Sequence, residues 1–390
     1  MNAVGFARPR AMNFSLVVGP PRFLCGERVK YRFEFRRYKL PFRRPVRTAH
    51  GGWSEREGIL LKLTREGLPA GVKFDDEGRP VVGYGEAAPV RGFSTETVDE
   101  CEEGCLALGA WIEPAAIGTL PTRLASVHRA LDAAFSEIGS RGPADTLPPH
   151  IGVAALLPAG KAALTEIMAR LESGFRVFKW KVGVGEIANE LGLLDDLCAT
   201  LPTGARLRLD ANGAWDRRRA ERWLERCAER PIEFVEQPCF SAASEGTTAQ
   251  RRAEDVLMGL ANDYPTPVAL DESLVGNGDI ERWTATGWPG VFVVKPSLIG
   301  ELTGALTLLE KAKADVVFSS ALETAIGARS ALRTAFAWRE PKKDDTRRAL
   351  GFGVWPLFAD PRFDGPAAAP FIRKEDLETL DAEQLWTALN

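Results

Sequence analysis

The sequence predicts an α/β protein, a TIM-type (β/α)8 barrel preceded by an N-terminal α+β domain. Two observations predict this fold class. Residues 146–358 alternate short apolar strand patterns with stretches that can hold helices, which gives eight strand–helix units in about 210 residues. Residues 31–145 instead place strand patterns first and helical patterns second, which is typical of an α+β unit.

Composition bounds the class of protein before any motif is considered. The chain has 390 residues, 45% of them hydrophobic and 26% charged, which is typical of a globular protein with a large core. A net charge of −3 argues against a general nucleic-acid binder. Residues 1–50 nevertheless carry +10, leaving −13 for the rest. We interpret this basic segment as serving an anionic small molecule or a solvated surface, rather than RNA or a lipid surface.

Cellular context follows from what the sequence lacks. It has neither an apolar run of membrane-spanning length nor a secretory signal pattern, so no membrane association is expected. Its six cysteines form no compact framework, which predicts reduced thiols in a cytoplasmic protein. We expect Cys101 and Cys105, four apart in a predicted helix, to be structural rather than metal ligands.

The N-terminal part is predicted element by element. Residues 1–30 lack periodicity and are expected to be a poorly ordered extension. Aromatic and basic residues then alternate as in a half-buried strand, and Pro45, Gly51 and Gly52 predict a loop. The resulting prediction is a strand at 31–42, a loop at 43–58, strands at 59–64 and 81–86, helices near 94–111 and 121–138, and a boundary at 139–149.

The barrel region predicts eight strands at 150–157, 176–182, 206–211, 232–236, 267–271, 290–295, 315–319 and 351–357. Predicted helices between them include 162–173, 216–230, 249–264 and 302–314. A doubly wound sheet is disfavoured because no Gly-rich phosphate loop follows the first strand. Residues 359–390 are expected to pack back on the N-terminal domain.

Functional groups recur at the strand ends. Lys179 and Lys181 are two apart on the second barrel strand and therefore share one face. The next four strands end in Asp210, Glu236, Asp271 and Lys295. Because the strand ends of a barrel meet at its C-terminal mouth, we expect all six side chains to lie together there.

Three carboxylates form a hard oxygen donor set that suits Mg²⁺, with Mn²⁺ as a substitute. The alternative is a set of buried Lys–carboxylate ion pairs, which is disfavoured because three such pairs carry heavy desolvation costs. A lysine beside a divalent cation has its charged form disfavoured, so one lysine is expected to act as a general base.

These motifs resemble the muconate-cycloisomerase subgroup of the enolase superfamily, in which an α+β domain caps a modified barrel. Within the subgroup, the third, sixth, seventh and eighth strand regions are most similar to the o-succinylbenzoate synthases. The motifs are Lys179-x-Lys181, Asp210-Ala-Asn212-Gly213, Glu236-Gln237-Pro238, Asp271-Glu272-Ser273, Lys295-Pro296-Ser297, Ser319-Ser320 and Gly351-Phe352-Gly353.

The resemblance implies a role for each matched residue. Asp210, Glu236 and Asp271 match the metal ligands of the family. Lys181 matches the general base, and it is also expected to return the proton to the departing hydroxide. Lys179 matches the lysine that stabilises the enediolate, and Lys295 the lysine on the opposite face of the substrate ring. The order of these residues along the chain agrees with the family.

Predicted substrate contacts are Asn212, Ser319, Ser320 and Arg208, although a structural ion pair is an open alternative for Arg208. The resemblance also implies that the loop between the first two strands closes over the substrate. Its residues of interest are Arg43, Arg44, Arg47, His50, Gly51, Gly52 and Trp53.

The implied reaction is dehydration of 2-succinyl-6-hydroxy-2,4-cyclohexadiene-1-carboxylate, a dianion, to o-succinylbenzoate in menaquinone or phylloquinone biosynthesis. Racemisation of N-acylamino acids and cycloisomerisation remain alternatives on the same scaffold, as does a non-catalytic binding barrel. Dipeptide epimerisation is disfavoured because the eighth strand region has Gly351-Phe352-Gly353 in place of an Asp-x-Asp motif. The sequence leaves the oligomeric state open.

Overall fold

The structure is a computed structural model that describes residues 29–48, 51–67, 71–75, 78–91, 94–140, 147–242, 245–339 and 347–389. The extension predicted at 1–30 lies outside these ranges except for its last two residues. Within the described ranges no helix is long and apolar enough to cross a membrane.

The N-terminal domain is a four-stranded antiparallel sheet in the order β3-β2-β1-β4, covered by two helices. Its elements are β1 (Tyr31–Thr48), β2 (Gly51–Arg65), β3 (Val82–Ala87), α1 (Val98–Leu108), β4 (Trp111–Ile112) and α2 (Ala125–Glu137). Helix α2 packs so closely on β3 that a Cβ atom at Gly85 would lie 1.9 Å from the Ala130 carbonyl oxygen. Glycine is therefore required at that contact.

The predicted loop at 43–58 is wrong for the described residues, because 43–48 and 51–58 extend β1 and β2 into a long hairpin. The strand register is irregular between Pro41 and Val46. Pro45 therefore falls where the ladder needs no backbone donor, and pairing resumes between Val46 and Trp53. Backbone bonds between Arg43 N and Leu357 O (2.8 Å) and between Ala359 N and Pro41 O (2.9 Å) attach this hairpin to the barrel.

The second domain is a barrel of eight parallel strands in chain order. They are β5 (His150–Leu157), β6 (Val177–Lys181), β7 (Arg206–Asp210), β8 (Ile232–Glu236), β9 (Val268–Leu270), β10 (Val291–Val294), β11 (Asp315–Phe318) and β12 (Leu350–Gly353). Strand β12 pairs with β5, and a parallel bridge between Ser319 and Gly351 joins the last two strands. Each predicted barrel strand overlaps an observed one, so the predicted fold class is confirmed.

Helices cover the outside of the barrel between successive strands. They are α3 (Ala162–Glu172), α4 (Ile187–Thr200), α5 (Arg217–Cys227), α6 (Thr247–Asp263), α7 (Asn277–Ala285), α8 (Leu302–Lys311) and α9 (Ala325–Ala337). Trp180 shows how strand residues alternate, because it faces outward and lies 6.4 Å from the ring of Trp223 on α5. The neighbouring lysines of β6 consequently point into the barrel.

The C-terminal segment contacts both domains. Strand β13 (Phe371–Arg373) pairs antiparallel with β5, and helix α10 (Ala382–Ala388) follows. The Trp386 ring of α10 lies 6.4 Å from Tyr84 and 4.3 Å from the guanidinium carbon of Arg36, both in the N-terminal domain. The exact domain boundaries at 145, 146, 358 and 359 stay predictions.

One large core runs through the barrel and into the N-terminal domain, where Tyr38, Leu60 and Tyr84 belong to it. A second core fills the space between the N-terminal sheet and its helices. Cys101 and Cys105 are buried there, and burial raises the pKa of each thiol to about 12. Protonated, enclosed thiols suit the structural role that was predicted for them.

Candidate active site

The site is built on strand β6. Phe178 and Trp180 are fully buried, while Lys179 and Lys181 are partly accessible between them. The register places Lys181 beside Asp210 on β7, and Asp210 beside Glu236 on β8. Three of the predicted site residues therefore lie at one level at the C-terminal ends of neighbouring strands.

Lys179 bridges two carboxylates. Its Nζ atom lies 2.9 Å from Asp210 Oδ2 and 2.6 Å from Glu236 Oε1. Burial alone would lower the pKa of Lys179, but the negative charges of Asp210 and Glu236 outweigh it and hold that pKa above its ordinary value. Lys179 is therefore a permanent cation in this site.

Lys181 differs from Lys179 in its electrostatic surroundings. Burial lowers the pKa of Lys181, Asp210 opposes that effect, and the like charge of Lys179 reinforces it. The net result is a pKa below the ordinary lysine value. Of the two lysines on β6, Lys181 is thus the one that loses its proton more easily, as a general base must.

Lys295 follows strand β10 and donates a hydrogen bond to Asp271 Oδ1. Strands β6 and β10 are four strands apart in an eight-stranded barrel, so Lys295 approaches the mouth from the side opposite Lys181. All six predicted residues are brought together at this mouth, while their chemical roles stay predictions.

The acidic groups of the site are buried and repel one another, and a bound cation would reduce that repulsion. Burial raises the pKa of Glu236 well above its ordinary value, and Lys179 offsets this only in part because Asp210 and Asp271 add like charge. The described residues contain no ready-made cluster of three metal-ligating side chains. We attribute this to the ammonium groups of Lys179 and Lys295, which lie on the carboxylates. The donor set nevertheless has the hard oxygen chemistry that fits a divalent cation.

Glu272 is a site residue that the sequence reasoning did not single out. It is 3% exposed, and its Oε1 accepts a 2.9 Å hydrogen bond from Asn212 Nδ2. Its Oε2 atom has no hydrogen-bond partner among the described residues. Burial, with added repulsion from Asp271 and Asp210, raises the pKa of Glu272 to about 8. The only sequence signal was its position next to Asp271.

Arg208 requires a correction. It was predicted to bind substrate, but its side chain is 2% exposed and its donors are taken by Glu233 and the Ala349 carbonyl. The register of β7 and β8 skips Glu233, which bulges at the start of β8. Arg348 bonds the other oxygen of Glu233 at 2.7 Å. Arg208 therefore belongs to an ion-pair network toward the opposite end of the barrel, which was the alternative kept open for it.

The remaining predicted substrate contacts lie at the rim with internal partners. Asn212 has a left-handed backbone (φ 44°) and bonds Glu272 as described. Ser319 Oγ donates to the Gly351 carbonyl at 3.2 Å, and Ser320 Oγ donates to Glu323 Oε2 at 2.8 Å. Both serines are nearly buried, at 7% and 6% exposure. Their contact with substrate stays a prediction.

Part of the predicted closing loop is described as the tip of the β1–β2 hairpin. Arg43, Arg44 and Gly52 are exposed there, whereas Trp53 is half-buried and packs with Val46 against the large core. His50 and the side chain of Arg47 lie outside the described part of the chain, as does the environment of Gly51.

Comparison with known proteins identifies the family. Residues 162–345 match the family model "Enolase C-terminal domain-like". A curated o-succinylbenzoate synthase from Thermosynechococcus vestitus is 37% identical over 365 residues, covering 92% of this chain and 99% of that protein. Another from Edwardsiella ictaluri is 30% identical over 319 residues, covering 78% and 86%.

Solved structures of related proteins superpose on this chain. A crystal structure of o-succinylbenzoate synthase from Thermosynechococcus elongatus BP-1, complexed with Mg in its active site, superposes with a TM-score of 0.72 at 34% identity, covering 92% of this chain and 99% of that one. A dipeptide epimerase from Enterococcus faecalis V583 superposes at 0.69 with 21% identity over 88% and 96%, which shows a shared fold alone.

A capped barrel whose strand ends carry these lysines and carboxylates defines the class, the barrel enzymes of the enolase superfamily. Within that class the chain belongs to the family of the o-succinylbenzoate synthases. The predicted resemblance and the prediction that the chain is an enzyme of the lyase class are both confirmed.

Proposed function

We propose that this enzyme dehydrates 2-succinyl-6-hydroxy-2,4-cyclohexadiene-1-carboxylate to o-succinylbenzoate. The observation that carries the proposal is the pair of lysines on β6, whose pKa values are displaced in opposite directions beside Asp210 and Glu236. A proton acceptor and a permanent cation on the same strand are what removal of a proton next to a carboxylate requires.

Lys181 is the proposed proton carrier. Its neutral amine takes the proton from C1 of the substrate, and the electron pair moves into the carboxylate to give an enediolate. The same ammonium group then gives its proton to the hydroxyl leaving C6, so that water departs from the face where the proton was taken. One C–H and one C–O bond break, and the ring becomes aromatic.

Lys179 holds the charge that develops in this step. Its ammonium lies between Asp210 and Glu236, at the level where the substrate carboxylate would meet the strand ends. A permanent cation at this level would stabilise the negative charge that builds up on the substrate carboxylate.

Asp210, Glu236 and Asp271 are the proposed ligands of Mg²⁺, with Mn²⁺ as a substitute. When bound, the cation supplies positive charge that stabilises negative charge on the substrate carboxylate. Support comes from the raised pKa values of Glu236 and Glu272, which burial causes first and the like charges of Asp210 and Asp271 increase.

Lys295 faces the ring from the other side of the mouth, where a cation over a π-face is favourable. Asn212, Ser319 and Ser320 are the proposed contacts to the polar groups of the substrate, and the basic hairpin residues Arg43 and Arg44 favour a dianion. No nucleic-acid or membrane partner is proposed. We place the reaction in the cytoplasm because the described cysteines are unpaired thiols. We place it in menaquinone or phylloquinone synthesis because the resemblance to the o-succinylbenzoate synthases implies that pathway.

One observation favours a second candidate function. Lys181 and Lys295 approach the mouth from opposite sides, which is also the arrangement that a two-base racemisation of an N-acylamino acid needs. The two functions share the enediolate and differ in whether Lys295 exchanges a proton with the substrate carbon.

The discriminating experiment compares the two substrate classes with Mg²⁺ present. We expect the ultraviolet absorbance of the cyclohexadiene to disappear, and an exposed-lysine variant, Lys311→Ala on α8, to behave as the wild type. N-succinylamino acids incubated in deuterated water would reveal racemisation by incorporation of α-deuterium. Turnover of the amino acid alone would replace the proposed function by the second candidate. No turnover of either substrate, with Mg²⁺ still bound, would favour a binding barrel.

A further inference from the structure

The segment Ser319–Thr324 connects β11 to α9 and carries both serines that are proposed to contact substrate. Two buried charged side chains reach this segment from the N-terminal domain. They are Glu86 on β3, 4% exposed, and Arg56 on β2, 3% exposed. Charged groups this deeply buried between two domains must be fully hydrogen-bonded to be tolerated.

Glu86 caps helix α9 from across the domain interface. Its carboxylate accepts hydrogen bonds from the backbone N–H of Thr324 (3.0 Å), the hydroxyl of Thr324, and the backbone N–H of Gly327 (2.9 Å). Tyr38 donates a further bond from the N-terminal domain. Thr324 is the N-cap of α9 but makes no side-chain cap of its own, so Glu86 takes that place.

Arg56 holds the middle of the same segment. Its guanidinium donates to the carbonyl oxygens of Leu322 (3.2 Å) and Ala321 (3.3 Å). On its own domain it donates to the carbonyl oxygens of Ala88 and Pro89. Leu322 has a left-handed backbone with φ 62°, which a side chain of this kind rarely adopts. Arg56 thus bonds the carbonyl of a strained residue.

The contacts lead directly to the serines. Glu323 lies between Leu322, which Arg56 bonds, and Thr324, which Glu86 bonds. Its Oε2 accepts hydrogen bonds from Ser320 Oγ (2.8 Å) and the Ala321 backbone N–H. A Cβ atom at Gly327 would lie 2.8 Å from both Glu86 Oε2 and Glu323 Cβ, so Glu86 and Glu323 pack tightly against the start of α9. A shift of Glu86 or Arg56 would therefore move Ser320.

We propose that Glu86 and Arg56 are positioning residues that hold Ser319–Thr324 in its substrate-binding conformation, so that substrate affinity depends on a contact between the two domains. The proposal rests on the proposed function for its substrate. Neither residue touches the lysines or carboxylates of the reaction, so the effect falls on binding rather than on proton transfer.

Kinetics of matched variants test this. Glu86→Gln removes the charge while keeping the shape, and Thr324→Val removes only one bond from the barrel side. We expect Glu86→Gln and Arg56→Met to raise KM for the cyclohexadiene about tenfold with kcat within about threefold, and Thr324→Val to give a smaller rise. Thr324→Val combined with Glu86→Gln should be non-additive because both remove one contact.

The control is Glu137→Gln. Glu137 on α2 also joins the domains, but it does so through Arg329 and Arg333, which lie further along α9 than the residues that Glu86 bonds. It should lower stability and leave KM unchanged. A KM that rises equally in Glu137→Gln, or that stays at the wild-type value in Glu86→Gln, Arg56→Met and Thr324→Val, would overturn the proposal.

Amide hydrogen exchange of the full chain gives a readout that does not depend on the reaction. Exchange in peptides covering 319–328 should quicken in Glu86→Gln and Arg56→Met but not in Glu137→Gln. Unchanged exchange would overturn the positioning role even if KM rose. A wild-type enzyme inactive on the cyclohexadiene, with the expected exchange pattern, would reject the proposed function and keep the positioning role.

Discussion

Lys179 Nζ lies 2.6 Å from Glu236 Oε1, although their strands are separated by β7. Side chains that point into a barrel from alternate strands meet in layers, which is how residues far apart in sequence come into contact. The charge balance of the site is thus set by closure of the barrel. Asp210 reaches the same ammonium group from the strand between them.

Lys295 tests whether charge or proton transfer matters on the second face. Arginine keeps the positive charge but cannot act as a base. We expect Lys295→Arg to retain dehydration within about 100-fold of the wild type, and Lys295→Ala to lose more, because a cation near the ring suffices. Any α-deuterium incorporation into N-succinylamino acids should vanish in both variants. Equal loss of dehydration in the two variants would show that the charge is not what matters.

Removal of the metal should be visible in stability. Mg²⁺ at about 100 times its Kd should raise the midpoint of thermal unfolding by about 3 °C, because it binds only the folded carboxylate cluster. Asp210→Asn should abolish the rise. Asp195→Asn, which alters an ion pair on the barrel exterior, should keep it. A rise that persists in Asp210→Asn would place the cation elsewhere.

Arg208 should matter for stability and not for binding. Arg208→Met removes one member of a buried ion-pair network, and we expect the free energy of unfolding to fall by about 3 kcal/mol. KM of the folded enzyme should stay at the wild-type value. Arg226→Met, at the more exposed pair with Asp195, should cost less than about 1 kcal/mol. Urea unfolding and steady-state kinetics measure both effects, and a raised KM at unchanged stability would restore the substrate-contact prediction.

Glu323 links stability to pH. Burial raises the pKa of Glu323 from 4.5 to about 7. The like charge of Glu86 adds to this rise, and hydrogen bonds from Ser320 and Ala321 oppose it. A raised pKa means that the folded protein binds the proton more tightly than the unfolded chain. The contribution of Glu323 to the free energy of unfolding is therefore fully present below pH 4.5 and is lost as the pH rises through 7.

We therefore expect wild-type protein to lose about 3 kcal/mol of unfolding free energy relative to Glu323→Gln between pH 4.5 and 8. Urea unfolding in EDTA across this range measures the difference. Glu310→Gln, at an exposed position of α8, should follow the wild-type curve. Parallel curves for the wild type and Glu323→Gln would contradict the raised pKa.

Most of the barrel could be predicted from the sequence because its strands are short apolar runs, and four successive ones, β7 to β10, are each completed or followed by one charged residue. Lys179, Lys181, Asp210, Glu236, Asp271 and Lys295 could be predicted to meet, since parallel strand ends share one rim. The opposite pKa shifts of Lys179 and Lys181 could not be predicted from the sequence. They arise because Lys179 reaches Glu236 across β7, a contact that only the closed barrel creates.

Other features depend on partners distant in sequence. The β1–β2 hairpin looked like a loop because Pro45 breaks the pattern, but its strands are held by each other and by residues near Phe358. Arg208 shares a strand face with Asp210, and its true partner, Glu233, becomes available only through a bulge. Glu86 and Arg56 had no local signal for this role, because the segment that they hold lies in the other domain.

The central claim is that Lys181 transfers the proton in a Mg²⁺-dependent dehydration. The most direct measurement follows the ultraviolet absorbance of the cyclohexadiene with wild-type enzyme and Lys181→Ala, each with Mg²⁺ and with EDTA. We predict that the wild type is active only with Mg²⁺ and that Lys181→Ala loses about 10³-fold in kcat. Lys181→Ala with wild-type activity, or a wild-type rate unaffected by EDTA, would contradict the claim.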